Sequence, residues 1–207
     1  PSAGAASAPG GFIWAGVALS AAALVVGCLH VTGRSPSIAG IAGDMFGLVY
    51  VGWFPAHVVM IHQQPEIGPG MITVLIVAVA LTDIGAYFMG KGFGKHKLAP
   101  VVSPNKTWEG AIGGTIWTLV GMAGAWYAHE TWMQEVLPAW PLWAYLGAGA
   151  ALSVSGQIGD LIESSLKRDA GVKDAGRIFP GHGGVLDRFD GFLFAAPVLY
   201  YGLAAFA

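Results

Sequence analysis

The sequence predicts an all-α fold, a polytopic transmembrane helix bundle of about six spans, and three observations predict it. Apolar residues make up 55% of the 207-residue chain and charged residues only 11%, with a mean hydropathy of +0.61; a soluble domain carries roughly a quarter charged residues. The apolar residues fall into runs long enough to cross about 30 Å of hydrocarbon. The basic residues gather between alternate runs, which is the pattern of a threaded membrane chain. The net charge of −2 says little about partners, because position outweighs sum in such a chain, and no nucleic-acid partner is expected.

Residues 1–10 read as a flexible linker, and 11–207 as a single transmembrane domain. The chain opens at Pro1 without a methionine, which suggests a truncated chain, and no basic segment precedes the first apolar run, so that run does not read as a signal peptide. The expected spans are 11–32, 38–61, 70–90, 108–128, 141–166 and 190–207. All are expected to be helices, since irregular chain or an open sheet facing lipid leaves backbone groups unpaired, and no run shows the alternation of a barrel strand. Turn chemistry fills the breaks at 33–37, 63–69, 91–107, 129–141 and 169–189. Small residues inside the spans, Gly113-Gly114 and Gly147-Ala148-Gly149 among them, predict close helix approach in a compact bundle and suit a homodimer. Cys28 lies alone in an apolar run and reads as a packing or lipid-facing residue.

Threading six spans puts all ten basic residues on one side. Arg34 lies in one loop, Lys91, Lys95, Lys97 and Lys106 in a second, and Lys167, Arg168, Lys173, Arg177 and Arg188 in a third. The opposite loops hold only Glu66, Glu130 and Glu135 as charged residues. The positive-inside bias makes the basic side the cytoplasm and leaves both termini outside. Trp108, Trp126, Trp140 and Trp143 fall near span ends, where an indole buries its ring and keeps its N–H wet.

The densest polar stretch runs from Gly159 to Asp190 and holds five Asp, one Glu, five Lys or Arg and one His in 32 residues. If the fifth helix continues through Arg168, the spacing of four and then three residues sets Asp160, Ser164 and Lys167 along one face. A carboxylate at the end of a span is costly unless it meets a polar cavity or a cation, which makes Asp160 a site candidate. Gly181 to Gly184 forms a connection whose backbone N–H groups can converge on a phosphate, with His182 beside them. Asp187 and Asp190 follow at the start of the last span, where a plain helix-capping role is the competing reading for Asp190. Orientation alone explains three or four basic residues, but not their mixing with acids, Gly and His in two long loops.

The ordered set Ser165, Lys167, Arg168, Lys173, Asp174, His182, Gly183, Gly184, Asp187, Arg188, Asp190 resembles the signature of the CDP-diacylglycerol synthase, or phosphatidate cytidylyltransferase, family. A second segment is similar to that family too. Asp83 stands inside the third span with Tyr87 one turn on, and the following loop carries Ser103-Pro104-Asn105-Lys106-Thr107-Trp108-Glu109-Gly110. Thr107 is placed to cap the fourth helix while Lys106 and the helix N-terminus offer positive charge to a phosphate; a well-capped helix with Glu109 offsetting the dipole is the bland alternative. Asp44 is weaker and reads as interfacial. The resemblance implies a catalytic domain equivalent to the C-terminal part of the family fold, in the inner membrane of a bacterium with its active site facing the cytoplasm.

The resemblance further implies transfer of CMP from CTP to phosphatidic acid, giving CDP-diacylglycerol and pyrophosphate with a divalent cation. Both reactants are polyanions, so their approach needs cations and metal-binding carboxylates more than acid-base machinery. A phosphate monoester has its second pKa near about 6, so the lipid phosphate is already a competent nucleophile. On this basis Asp160 and Asp187 are expected to hold Mg²⁺, with room for a second cation, and Lys167 and Arg168 to hold phosphate oxygens. Lys173, His182 and Arg188 are placed around the triphosphate or lipid headgroup, and Asp83, Lys106 and Glu109 on the opposite wall. Two rivals stand beside this reading: another CTP-using lipid enzyme, such as a polyprenol or dolichol kinase or an archaeal lipid cytidylyltransferase, and an ion or solute transporter. The second lacks the internal repeat and midplane polar site of such folds.

Overall fold

A computed structural model describes residues 10–33, 37–176 and 184–206. Helix α1 (Gly10–Thr32) leads into a rod from Ile38 to His62 made of α2 (Ile38–Gly47), a π-helical stretch (Leu48–Trp53) and α3 (Phe54–His62). Then come α4 (Gly68–Phe93), a hairpin of β1 (Lys97–Ala99) and β2 (Ser103–Thr107), α5 (Trp108–Thr131), α6 (Leu142–Asp169) and α7 (Leu186–Phe206). Each of the expected spans is a helix. Two of these helices, Ile38–His62 and Gly68–Phe93, are long and apolar enough to cross a membrane.

Three features depart from the sequence reading. Residues 97–107, read as loop, pair as an antiparallel hairpin with Lys97 opposite Thr107 and Ala99 opposite Ser103, so the fold is not wholly α-helical. The rod from Ile38 widens to a π-helix just before Pro55, where the Phe54 N–H reaches back five residues to the Val49 carbonyl. Proline supplies no N–H and crowds the preceding turn, and the wider turn takes up that misfit without breaking the rod. Trp140, expected at a water-lipid boundary, is only 6% exposed and stands edge-on to Tyr145 in the core.

Helix α4 packs most extensively on α5, α6 on α7, and α5 on α6. At the α4–α5 crossing Gly114 lies so close to the facing backbone that a Cβ there would stand 2.6 Å from the Thr82 carbonyl oxygen. Small residues allow this approach, and the threonines at the contact pair with each other rather than with lipid. The core is apolar, with Ile61, Met71, Leu75, Tyr145, Leu152 and Leu199 fully buried. Large apolar side chains such as Leu24, Ile76, Phe88 and Val120 line the outside, the inverse of a soluble surface. Cys28 is exposed on α1.

Candidate active site

The hairpin and three helix ends build the site. Thr107 is the N-cap of α5, its hydroxyl accepting from the Gly110 N–H at 3.1 Å, so β2 hands directly into the helix. That cap fixes the preceding residue, Lys106, whose ammonium pairs with Asp160 on α6. On the other side of α6, Gly159 meets α7 so closely that an added Cβ would lie 2.8 Å from the Asp190 carbonyl oxygen. The start of α5, the end of α6 and the start of α7 therefore converge.

Asp160, Glu163 and Asp190 each offer a carboxylate oxygen within 4.8 Å of the others. Glu163 is 1% exposed; its Oε1 has no hydrogen-bond partner among the described residues, and its Oε2 faces the Lys167 ammonium. Ser164 donates to Asp160 at 3.4 Å. Next to them, and continuous with Asp160, is a cavity of about 590 Å³ lined among others by Asp83, Tyr87, Lys91, Asn105, Lys106 and Gln157.

Asp187 keeps different company. Its Oδ1 takes a hydrogen bond from Lys167 at 2.7 Å, while its Oδ2 accepts from the backbone N–H of Ala175 at 2.8 Å and of Gly184 at 2.7 Å. It thus ties Ala175, beyond the end of α6, to Gly184, just ahead of α7. Burial alone pushes this carboxyl up, but the Lys167 ammonium and the two N–H donors outweigh it and hold it at about 2. It stands ahead of the apolar run of the last helix. Lys167 joins the two acid groups, facing Glu163 on its own helix and Asp187 on α7.

Of the residues singled out from the sequence, Asp83, Lys106, Asp160, Lys167, Gly184, Asp187 and Asp190 are gathered by these contacts and by the cavity. Others lie apart. Glu109, expected on the cavity wall, is not among its lining residues: its carboxylate accepts the His96 backbone N–H at 3.2 Å and stands 2.6 Å from His96 Nδ1, which pins the hairpin to α5. The Ser165 hydroxyl turns back to the Leu161 carbonyl at 2.9 Å. Arg168 donates to the Val102 carbonyl in the hairpin turn at 3.4 Å. Ser103 is half-buried in β2, and Lys173, Asp174 and Arg188 are exposed. His182 and Gly183 lie outside the described residues.

Glu163 is the residue the sequence reading passed over. Its signal was its register, three residues after Asp160 and four before Lys167, hence on the same helix face. The grouped carboxylates of Asp160, Glu163 and Asp190, with one buried oxygen that has no hydrogen-bond partner among the described residues, fit a hard divalent cation such as Mg²⁺.

Comparison with known proteins follows the same line. The model of the cytidylyltransferase family matches residues 6–206. The chain is 45% identical over 154 residues to the phosphatidate cytidylyltransferase of Staphylococcus aureus (strain COL), covering 74% of this chain and 56% of that protein. It is 45% identical over 159 residues to that of Bacillus subtilis (strain 168), covering 77% and 56%. To the Synechocystis sp. protein of the same name it is 38% identical over 199 residues, covering 81% and 64%. The chain thus spans between about half and two thirds of the length of these relatives. With residues 6–206, nearly the whole of this chain, matched by the family model, the chain belongs to the cytidylyltransferase family.

Proposed function

We propose that the chain carries the reaction its relatives are named for, transfer of CMP from CTP to phosphatidic acid with release of pyrophosphate. The observation that supports it most is the junction of two surfaces at Asp160. The polar cavity there shares Leu98, Ala111 and Gln157 with an apolar groove of about 420 Å³ along α5 and α6, lined by Trp108, Ile112, Ile116, Val154 and Ile158. A substrate with a phosphate head and acyl tails needs both, side by side.

In this reading an oxygen of the lipid phosphate attacks the α-phosphorus of CTP, the P–O bond to the β-phosphate breaks, and pyrophosphate leaves. Repulsion between the two polyanions is the main barrier, and Lys106 and Lys167 are assigned to offset it. Asp160, Glu163 and Asp190 are the residues to hold Mg²⁺, with Asp187 and room for a second cation beside them. The ion, when bound, neutralises charge on the phosphoryl oxygens and the leaving pyrophosphate. Arg168, Lys173, His182 and Arg188 are assigned to the triphosphate or headgroup, and Asp83 to the far wall of the cavity. Ser103, Glu109, Ser165, Asp174, Gly183 and Gly184 are assigned to substrate binding as well.

The same proposal has all six helices crossing the bilayer, with the hairpin and the α6–α7 connection on the cytoplasmic side of a bacterial inner membrane. Phosphatidic acid holds its head at that surface and CTP arrives from the cytoplasm, so the reacting atoms meet there. A homodimer through outward small residues belongs to it as well; Gly147, whose Cβ position meets nothing within 4 Å, lies on such a face. The test is incubation of the purified protein with labelled CTP, phosphatidic acid and Mg²⁺, with and without a chelator. CDP-diacylglycerol and pyrophosphate are expected, and chelation abolishes both. Release of CDP would instead identify a lipid kinase, and solute counterflow in vesicles a transporter.

A further inference from the structure

The polar cavity has two ammonium groups in its wall, and they are held differently. Lys106 is neutralised by Asp160. Lys91, on α4, lines the same cavity and has no carboxylate partner among the described residues. Its hydrogen bond there is to a neutral group: Nζ donates to the Tyr87 hydroxyl at 3.2 Å and stands 5.4 Å from the centre of the same ring. None of the assignments above uses Lys91.

The ordinary uses of a lysine at this place do not match its geometry. A basic residue in the last turn of a helix can bond the terminal carbonyls, and a lysine at the edge of a bilayer extends toward water. Lys91 is in the last turn of α4, yet its side chain turns back four residues to Tyr87. The Gly90 carbonyl is taken by the Gly94 N–H instead. Tyr87 thus keeps the ammonium at the cavity wall, and a phenol ring attracts a cation without neutralising it.

An ammonium so placed is open to an anion. The proposed reaction brings two, the lipid phosphate and the triphosphate of CTP, and the walls of the cavity divide them. The apolar groove fitted to acyl tails meets the cavity at Leu98, Ala111 and Gln157, and no residue of α4 lines that groove. The α4 wall is therefore the one the tails do not share. Asp83 precedes Lys91 by eight residues on it, a rise of about 12 Å, so acid and ammonium stand at opposite ends of that wall. With the α-phosphorus reacting beside Asp160, the two outer phosphates need a cation farther along.

We propose that Lys91 binds the β- and γ-phosphates of CTP, its ammonium held on the α4 wall of the cavity by Tyr87. This rests on the proposed reaction for the identity of the nucleotide.

The experiment is equilibrium binding of labelled CTP and of labelled CMP, each with Mg²⁺, to the purified protein in detergent. Wild type is compared with Lys91→Met, Lys91→Arg and Lys95→Met, with melting curves of each. Lys91→Met is expected to melt with wild type, since Lys91 is exposed and its partner is neutral. It should bind CTP about tenfold more weakly, the usual cost of a lost charge-assisted bond, and CMP within about twofold of wild type. Lys91→Arg keeps the charge and should recover most of the CTP affinity. Lys95, exposed and outside the cavity lining, reports the general attraction of a basic loop for a polyanion, and Lys95→Met should bind both nucleotides within about twofold of wild type. Unchanged CTP affinity in Lys91→Met overturns the proposal. Equal weakening for CTP and CMP, or an equal loss in Lys95→Met, does the same. A raised KM for phosphatidic acid with CTP affinity unchanged also overturns it, and gives the ammonium to the lipid headgroup. Cytidylyl transfer by the same wild-type preparation keeps the two readings apart. CTP binding without transfer refutes the proposed reaction and leaves Lys91 to be judged by the binding data; transfer with CTP affinity unaltered in Lys91→Met refutes the role of Lys91 alone.

Discussion

The α4–α5 crossing and the α6–α7 crossing use one packing device for opposite ends. In each, a glycine lets two backbones approach: Gly114 against the Thr82 carbonyl, Gly159 against that of Asp190. At α4–α5 the polar atoms are satisfied within the bundle. Thr82 and Thr118 stand 2.6 Å apart, and both reach the Ala78 carbonyl, at 2.9 and 3.2 Å. At α6–α7 the approach instead crowds carboxylates together, and Glu163 keeps a buried oxygen unpartnered among the described residues. Close packing is thus neutral as to purpose. The polar groups at the contact, and whether they are mutually satisfied, separate a structural seam from a working site.

The largest effect expected from this difference is on turnover at the unsatisfied crossing. Asp160→Asn or Glu163→Gln removes negative charge from the cluster and is expected to lower cytidylyl transfer roughly a hundredfold to a thousandfold. Both should remain folded in detergent, because relief of like-charge crowding offsets the lost ion pair to Lys106 or Lys167. Wild-type turnover in both variants would remove the cluster from the reaction.

The mirror experiment at the satisfied crossing is Gly114→Val. The added side chain meets backbone 2.6 Å away, a contact that cannot be relieved by rotating a flexible neighbour. Overpacking of this kind is expected to destabilise by about 1–3 kcal/mol. Transfer per folded molecule is expected to stay near wild type, and a selective loss of activity at full stability would show that the two crossings are not separable.

How much of this was legible beforehand depends on what ends a helix. The apolar runs located every helix, since hydrocarbon selects both length and conformation. They ended too early at the working side: α4 runs to Phe93, α6 to Asp169, and α7 begins at Leu186, each carrying charged residues past the apolar stretch. Hydrophobicity stopped there and the backbone did not. Thr107 was readable as a cap because capping is local. Glu163 was not, because its importance comes from α7 packing through Gly159, a contact between residues about thirty apart. The partnership of Glu109 with His96 was hidden for the same reason, since it depends on a hairpin that loop-like composition did not announce.

A smaller effect distinguishes the Asp187 clasp from the cluster beside it. Asp187 is held at about 2, below the ordinary carboxylate value of 3.8, by Lys167 and two backbone donors. A carboxyl lowered on folding contributes stability that is complete above its unfolded value and disappears as pH falls through the folded one. Wild type is therefore expected to melt above Asp187→Asn at every pH over about 4, with the gap closing between about 4 and about 2. A gap that stays constant down to the lower limit would mean the ion pair and the two N–H bonds contribute nothing through charge.

The smallest effect tests the satisfied crossing from inside. Each threonine hydroxyl can fall back on its own helix: the Ala78 carbonyl lies 2.9 Å from Thr82 Oγ1 and the Gly114 carbonyl 3.1 Å from Thr118 Oγ1. The bond across the helices is therefore partly redundant, and an unfolded chain in lipid keeps the same local acceptors. A double-mutant cycle of Thr82→Val and Thr118→Val is expected to give a coupling of only about 0.6 kcal/mol, the usual worth of such bonds in membranes. A coupling several times larger would mean that the hydroxyl pair, rather than the glycine approach, holds α4 to α5. The seam would then resemble the α6–α7 crossing in depending on a polar cluster, and the contrast drawn between the two would lose its basis.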